Sequence, residues 1–277
     1  MPDFPKLSSH AQRWVTGILI AVPVVGCIVA GPPWSWWLLV STATLIGLWE
    51  FQGLLFTDPL ERKWQILSYA AGLAIPLASS IWGHTGLNAA LVAAIFAAFS
   101  VMLFSSPLDS GQVPRIASLS LIWFYVPYLL SFALLIGSAP QGRSWIVFVL
   151  AVIIAGDAGA YQVGRKIGKH KLYEAVSPKK TIEGAIGGLL CSIIIGTVFG
   201  LIFLRNVNAA LLPLFSFLIA VTGQIGDLIE SMLKRNFGKK DSSNLLPGHG
   251  GILDRLDSLL FSFPVMWTLL QWAGLSH

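Results

Sequence analysis

Charged residues and glycines concentrate in one segment near the carboxyl end of the chain. From Ser231 to Ser258 the sequence reads SMLKRNFGKKDSSNLLPGHGGILDRLDS, although only 11% of the whole chain is charged. The charged members of the segment are Lys234, Arg235, Lys239, Lys240, Asp241, Asp254, Arg255 and Asp257. A polar segment of this kind, placed between two apolar stretches, is typical of a site that handles a multiply charged substrate at a membrane surface.

The residues that lead into this segment share one face of a helix. Asp227, Glu230, Ser231 and Lys234 are spaced i, i+3, i+4 and i+7, and side chains at these offsets lie next to one another. A carboxylate followed by a cation suits a metal-bound polyphosphate, because the acid takes Mg²⁺ and the base takes phosphate oxygens. A salt bridge between Glu230 and Lys234 is the structural alternative, and we expect that pair to be at least partly structural.

The run Pro-Gly-His-Gly-Gly within the segment predicts close approach of a ligand to the backbone. Gly250 and Gly251 remove side-chain obstruction and tolerate positive φ, and consecutive N–H groups there form an anion-binding nest. His249, flanked by glycines, is interpreted as a phosphate ligand or a proton donor. Asp254 and Asp257 follow the glycines. The structural alternative for each aspartate is to serve as the N-cap of the last helix. We give this alternative more weight for Asp257 than for Asp254.

Another polar loop, over residues 163–183, precedes this segment along the chain. Its basic and imidazole groups are Arg165, Lys166, Lys169, His170, Lys171, Lys179 and Lys180. A basic cluster beside a membrane is often only a topology signal. Here, however, the run Ser-Pro-Lys-Lys-Thr that begins at Ser177 directly precedes a glycine-rich helix start. Hydroxyl and ammonium groups at a helix N-terminus are typical of a phosphate pocket.

Three acids lie inside or at the ends of apolar stretches. They are Asp157, Asp227 and Glu230. A carboxylate in hydrocarbon is costly unless it is paired or solvated, so such acids are functional candidates. The alternative is a helix-end acid solvated by headgroups, and we keep that interpretation for Glu50, which stands alone at the end of an apolar stretch.

The composition places the chain in a membrane. It has 277 residues, of which 55% are hydrophobic, with a mean hydropathy of +0.73, whereas about a quarter of a soluble domain is charged. We predict an all-α, polytopic bundle with about nine transmembrane helices of about 20 residues. The predicted spans are Trp14–Ala30, Trp36–Leu54, Ile66–Trp82, Leu87–Phe104, Ser118–Ile136, Trp145–Gln162, Ala185–Leu204, Ala209–Gly226 and Leu259–Trp272.

The distribution of basic residues predicts the orientation. With a cytoplasmic N-terminus and nine spans, all but two of the 18 lysines and arginines fall on the cytoplasmic side, the exceptions being Arg143 and Arg205. Both polar loops, 163–183 and 234–257, are then cytoplasmic. We predict a transmembrane scaffold over residues 1–142 and a catalytic transmembrane region over 143–277. The net charge of +5 is explained by this topology, and we expect no nucleic-acid partner.

The polar segments carry a family resemblance. Residues 231–258, together with GDAGAYQVGRKIGKHKL and SPKKTIEG between Gly156 and Gly184, resemble the signature of the phosphatidate cytidylyltransferases, or CDP-diacylglycerol synthases. The motifs cover the second half of the chain, and the first half matches only as apolar spans. Ile182 departs from the pattern, which commonly has tryptophan after SPKKT. No P-loop, HExxH or GxSxG motif is present in the sequence.

The resemblance implies that the cytidylyl group of CTP is transferred to phosphatidic acid. It implies Mg²⁺ at Asp227 and Asp254, K⁺ as a second cation in the same site, and a homodimer in the bacterial inner membrane. The site is expected to face the cytoplasm. The alternatives are a related cytidylyltransferase acting on an ether-lipid phosphate and, from a different class, an ion-coupled transporter that uses the intramembrane acids.

We assign roles to individual residues on this basis. The predicted catalytic set is Asp227, Asp254, Lys234, Arg235 and His249. The predicted substrate-binding set is Lys179, Lys180, Ser177, Arg165, Lys166, Ser231, Lys239, Gly250, Gly251 and Arg255. The predicted cation ligands are Asp227, Asp254, Asp257 and Asp157, the last two serving a second cation or supporting the first.

Overall fold

Helices dominate the computed structural model, which describes residues 17, 22–28, 30–56, 58, 60–105, 111–205, 207–246 and 250–276. The helices are α1 (Pro33–Leu55), α2 (Arg62–Leu103), α3 (Gln112–Trp123), α4 (Leu129–Ser138), α5 (Gly142–Ile167), α6 (Ile182–Phe203), α7 (Leu211–Asn236) and α8 (Leu253–Trp272). A π-helical turn, Phe124–Tyr128, joins α3 to α4. Two short antiparallel strands, β1 (Lys171–Tyr173) and β2 (Ser177–Thr181), lie between α5 and α6. Eight of the 17 residues of the predicted span Trp14–Ala30 fall outside the described residues.

Among the described residues, six helical stretches are long and apolar enough to cross a membrane. They are α1 from Trp34, α2, the continuous stretch from α3 through α4, α5, α6 and α7. Helix α8 is not among them, and its first turns carry Asp254, Arg255 and Asp257. The chain is therefore a mostly helical integral membrane protein, as its composition predicts.

Helix α2 is a hairpin and not one straight rod. A straight helix of its 42 residues would be about 63 Å long, yet Nζ of Lys63 lies 3.3 Å from Oγ of Ser105 just beyond the other end. The chain reverses at Gly83, whose φ of 60° and ψ of −147° are not helical. Glycine is favoured there because it adopts positive φ without steric cost. The two arms correspond to the predicted spans Ile66–Trp82 and Leu87–Phe104.

The charged groups gather at one end of the bundle. Helix α5 has 26 residues and is therefore about 39 Å long, with Arg143 at its first turn and Arg165 at its last. Arg143 donates a hydrogen bond to the carbonyl oxygen of Gly31, and the backbone of Arg205 bonds to Gln141. The two basic residues that the topology prediction leaves on the outer side thus lie at the end of the bundle away from the polar loops.

A glycine seam holds α5 against α6. A Cβ atom at Gly188 would lie 2.6 Å from the carbonyl oxygen of Gly156, and one at Gly159 would lie 2.7 Å from Cys191. Across the same seam, Ser192 donates to the carbonyl oxygen of Val152 at 2.7 Å. Small residues let the two backbones approach closely. The seam fixes the two helices that lead into and out of the loop carrying β1 and β2.

Gly188→Ala is expected to destabilise the protein by about 1–3 kcal/mol, because the added methyl group overpacks the seam against a backbone carbonyl that cannot move independently. Thermal unfolding in detergent measures the effect. Gly53→Ala on α1 is the matched control, since a Cβ at Gly53 meets nothing within 4 Å. Equal melting temperatures for the two variants would contradict the seam's role.

Candidate active site

The two polar loops meet through an ion pair. Nζ of Lys180 on β2 lies 2.5 Å from Oδ2 of Asp227 on α7. The strand is anchored directly before α6, where the side chain of Thr181 caps the helix by accepting a hydrogen bond from the N–H of Gly184 at 3.1 Å. Arg235 adds a second link, donating to the carbonyl oxygen of Val176 at 3.4 Å. Since Val176 belongs to loop 163–183 and Arg235 to loop 234–257, the two polar loops lie next to each other.

Asp254 is held by a shell of donors in the second loop. Its Oδ1 atom lies 2.5 Å from Nζ of Lys234. Its Oδ2 atom accepts from the N–H of Gly251 at 2.7 Å and from the N–H and hydroxyl of Ser242, both at 2.9 Å. Gly250 has a φ of 78°, and a Cβ there would lie 2.5 Å from the same carboxylate oxygen. The glycines therefore let the backbone close around Asp254.

The N-cap alternatives for the two aspartates are wrong. Helix α8 begins at Leu253 with Ile252 as its N-cap residue, so Asp254 and Asp257 both lie inside the helix. Asp257 accepts a hydrogen bond from the next residue's N–H, that of Ser258, at 2.6 Å. Both carboxylates are consequently presented from the first two turns of α8.

Lys234 lies between two carboxylates in the interior. The lysine is 8% exposed and Glu230 is 2% exposed. The expected Glu230–Lys234 ion pair is present at 3.4 Å, but Lys234 is closer to Asp254. Neither side-chain oxygen of Glu230 accepts a hydrogen bond from the residues that the structure describes. Ser231, on the same face, donates to Oδ1 of Asp227 at 3.4 Å.

Two adjoining cavities open at this end of the bundle. The first, about 400 Å³, contains Arg165, Lys179 and Lys180 and is otherwise lined mainly by apolar groups. The second, about 520 Å³, is lined by Lys234, Arg255 and several acids: Asp157, Asp227, Asp241, Asp254 and Asp257. Asp157 and Asp227 line both cavities. Cavities of this size suit small ligands, and the shared acids show that the two cavities adjoin.

Several predicted site residues lie elsewhere. Those that line neither of these two cavities, among the described residues, are Ser177, Lys166, Ser231, Arg235, Lys239, Gly250 and Gly251. The side chains of Arg235 and Lys239 each donate a hydrogen bond to a backbone carbonyl oxygen. The acceptor for Lys239 is the carbonyl oxygen of Gly53 on α1, at 2.5 Å. Their contacts in this structure connect segments of the chain. His249 lies outside the described residues.

The carboxylates around the cavities fit a divalent cation that a ligand helps to bind. Among the described residues, no three Asp, Glu, His or Cys side chains form a ready-made metal centre. Mg²⁺ in nucleotide sites is usually held by one or two carboxylates together with substrate phosphates. Asp227 and Asp254 supply carboxylate oxygens of this type beside the second cavity.

Glu50 is a functional candidate that sequence reasoning missed. Our interpretation of Glu50 as a helix-end acid solvated by headgroups is wrong, because the residue is 2% exposed. Its carboxylate lies within hydrogen-bond distance of four donors in loop 234–257, which are the hydroxyls of Ser242 and Ser243 and the N–H groups of Ile252 and Leu253. The rule that selects Asp157, an acid within an apolar stretch, applied equally to Glu50. Its isolation in the sequence concealed its partners.

Comparison with known proteins identifies the family. The family model described as "Cytidylyltransferase family" matches residues 11–273. The chain belongs to the cytidylyltransferase family. Of the curated relatives, the phosphatidate cytidylyltransferase of Bacillus subtilis is 31% identical over 94% of this chain and 97% of the relative. That of Staphylococcus haemolyticus is 37% identical over 72% of this chain and 75% of the relative. The family relationship therefore extends into the first half, beyond the motifs that first indicated it.

Lys180→Met is expected to lower cytidylyl transfer about 100-fold, the order of loss seen when one preorganised donor is removed from an active site. The reason is that Lys180 lines the first cavity and pairs with Asp227. Initial rates of the purified variants measure the loss. Lys171→Met is the control, because that lysine lies in the same hairpin and bonds to the carbonyl oxygen of Pro178. Similar rates for both variants would contradict a specific role for Lys180.

Proposed function

We propose that this protein transfers the cytidylyl group of CTP to phosphatidic acid, giving CDP-diacylglycerol and pyrophosphate. The observation that carries the proposal is the pair of adjoining cavities, one basic and mainly apolar, the other rich in carboxylates, with Asp157 and Asp227 common to both. A reaction between a lipid phosphate and a metal-bound nucleotide needs these two environments in contact. A relative named phosphatidate cytidylyltransferase, which aligns with nearly the whole chain, supports the same function.

Cytidylyl transfer requires mainly that the two substrates are positioned and that their negative charge is neutralised. An oxygen of the lipid phosphate bonds to the α-phosphorus of CTP, and the bond from that phosphorus to the oxygen bridging to the β-phosphate breaks in line. Pyrophosphate leaves with the electron pair. A phosphate monoester has a second pKa near ~6, so phosphatidic acid is largely dianionic at neutral pH and needs no strong general base.

The first cavity is the proposed site for phosphatidic acid. Arg165, Lys179 and Lys180 supply cations for its headgroup, and the apolar remainder of the lining accommodates the beginning of the acyl chains. Lys180 pairs with Asp227 at 2.5 Å. A phosphate oxygen is an alternative acceptor for the same ammonium group, so the lysine is placed to hold the attacking phosphate beside the carboxylate.

The second cavity is the proposed site for the triphosphate of CTP. Lys234 and Arg255 face it, together with the acids. Mg²⁺, when bound by Asp227 and Asp254, supplies positive charge that offsets the triphosphate and the leaving pyrophosphate. Asp157 and Asp257 are the proposed ligands of a second cation, K⁺. Lys234 keeps Asp254 ionised and oriented through its 2.5 Å contact.

The proposed setting is the inner membrane of a bacterium, with nine spans, a cytoplasmic N-terminus and the site at the cytoplasmic face. The concentration of basic residues at one end of the bundle supports this orientation, and the bacterial sources of the relatives support the compartment. The family resemblance supports a homodimer. Residues 143–277 carry the substrate contacts, and residues 1–142 act as scaffold apart from Glu50.

Asp254→Asn is expected to reduce turnover by at least ~100-fold while the protein remains folded, since the change removes a carboxylate placed for the metal-bound triphosphate. The assay is formation of CDP-diacylglycerol from CTP, Mg²⁺ and diacyl phosphatidic acid, with an ether-lipid phosphate tested in parallel. Glu174→Gln, an exposed acid of the hairpin between β1 and β2, is the control. Near-normal turnover of Asp254→Asn would exclude the metal role.

Cysteine labelling is expected to place the two ends of the bundle on opposite sides of the membrane. In a background with Cys27 and Cys191 replaced, Glu174→Cys should react with an impermeant maleimide only in inverted vesicles. Ala209→Cys, before α7, should react in intact spheroplasts. Both positions are exposed in the structure. The reverse pattern would overturn the proposed cytoplasmic location of the site.

A further inference from the structure

Glu50 connects the first half of the chain to the loop that carries Asp254. It lies near the end of α1, where its side chain is buried. One carboxylate accepts from the hydroxyls of Ser242 and Ser243, at 3.2 and 2.7 Å, and from the N–H groups of Ile252 and Leu253, at 2.9 and 2.8 Å. The donors come from both ends of the segment between α7 and α8, so one side chain closes this segment into a loop.

The same contacts reach Asp254 through a shared serine. The Ser242 hydroxyl lies 3.2 Å from Glu50 and 2.9 Å from Asp254, and it has one proton to donate. The backbone of Gly251 is enclosed between the same groups, since a Cβ there would lie 2.7 Å from the carboxylate carbon of Glu50 and would also overlap Ser242. The position of Asp254 therefore depends on Glu50.

The carboxylate of Glu50 also caps the N-terminus of α8, although Glu50 lies in a distant part of the sequence. The first N–H groups of a helix have no partner within the helix, and a negative charge near them is favourable. Glu50 accepts the N–H groups of Ile252 and Leu253 at the start of α8. A buried carboxylate is costly unless its oxygens are hydrogen-bonded. Four donors meet that requirement for Glu50.

Aromatic packing holds α1 in place for this role. The ring of Phe51 lies 5.0 Å from that of Tyr125 in the π-helical turn, and Tyr125 lies 5.8 Å from Phe261 on α8, measured between ring centroids. One turn before Glu50, a Cβ at Gly47 would lie 3.2 Å from Leu253. The carboxylate is thus carried on a helix packed tightly against the start of α8.

We infer that Glu50 is a positioning residue for cytidylyl transfer: through Ser242 and the Gly251 backbone, it holds Asp254 in the geometry that binds the metal-bound triphosphate. The inference rests on the proposed function. It assigns to α1, within the region predicted as scaffold, a direct part in forming the site.

Glu50→Gln tests the inference, with Glu50→Asp as the variant that keeps the charge. The amide of glutamine offers one acceptor oxygen where four donors converge, so Asp254 should shift. We expect kcat to fall about 10- to 100-fold, the range for residues that orient metal ligands, and the Mg²⁺ concentration for half-maximal rate to rise. Glu50→Asp should recover part of both. Unchanged kcat and Mg²⁺ dependence, with only a lower melting temperature, would overturn the inference.

Hydrogen exchange of the segment 242–253 gives a readout independent of catalysis. Glu50→Gln should speed exchange there, and Gln52→Ala should not, although it removes a hydrogen bond from the same helix to Ser68. Failure of the parent protein to convert CTP and phosphatidic acid would count against the proposed function alone. If Glu50→Gln does not fold, Ser242→Ala is the variant to test. Hydrogen exchange and Mg²⁺ dependence equal to those of the parent protein in Ser242→Ala would overturn the inference.

Discussion

The ion pair between Lys180 and Asp227 is the contact on which the site depends. It joins a strand that follows α5 to a helix that begins more than 30 residues later in the chain. Without it, two like-charged basic loops would repel each other at the end of an apolar bundle. A second pair, Lys234 with Asp254, repeats the arrangement in the interior. In each pair the two opposite charges lie at short range and offset each other.

Burial explains why these pairs coexist with a mostly apolar chain. Isolated charges at this depth would be costly, and pairing them with hydrogen-bonded partners reduces that cost. Asp254 illustrates this, since a lysine, two backbone N–H groups and a serine hydroxyl share its two oxygens. The polar network is built on packed helices, with the glycine seam of α5 and α6 on one side and the aromatic contacts of α1 and α8 on the other.

The sequence predicts the helical class and the two polar loops, because these follow from hydropathy, spacing and motif chemistry. It does not predict the partners of Glu50, which lie about 200 positions away and depend on how α1 packs. The same holds for Lys239, whose motif position indicates phosphate binding but whose contact is the carbonyl oxygen of Gly53. Long-range contacts of this type are set by tertiary packing, which the local pattern around a single residue does not contain.

The hairpin at Gly83 has a consequence for how the architecture can vary. Because its two arms bring the chain back to the end of the bundle from which it started, α2 adds an even number of crossings. Whatever its length, the residues from 111 onward keep the same sidedness. Whether the number of crossings is even or odd, and not the total number of helices, then decides which compartment the carboxylates face. A relative could gain or lose such a hairpin without inverting the helices that follow it.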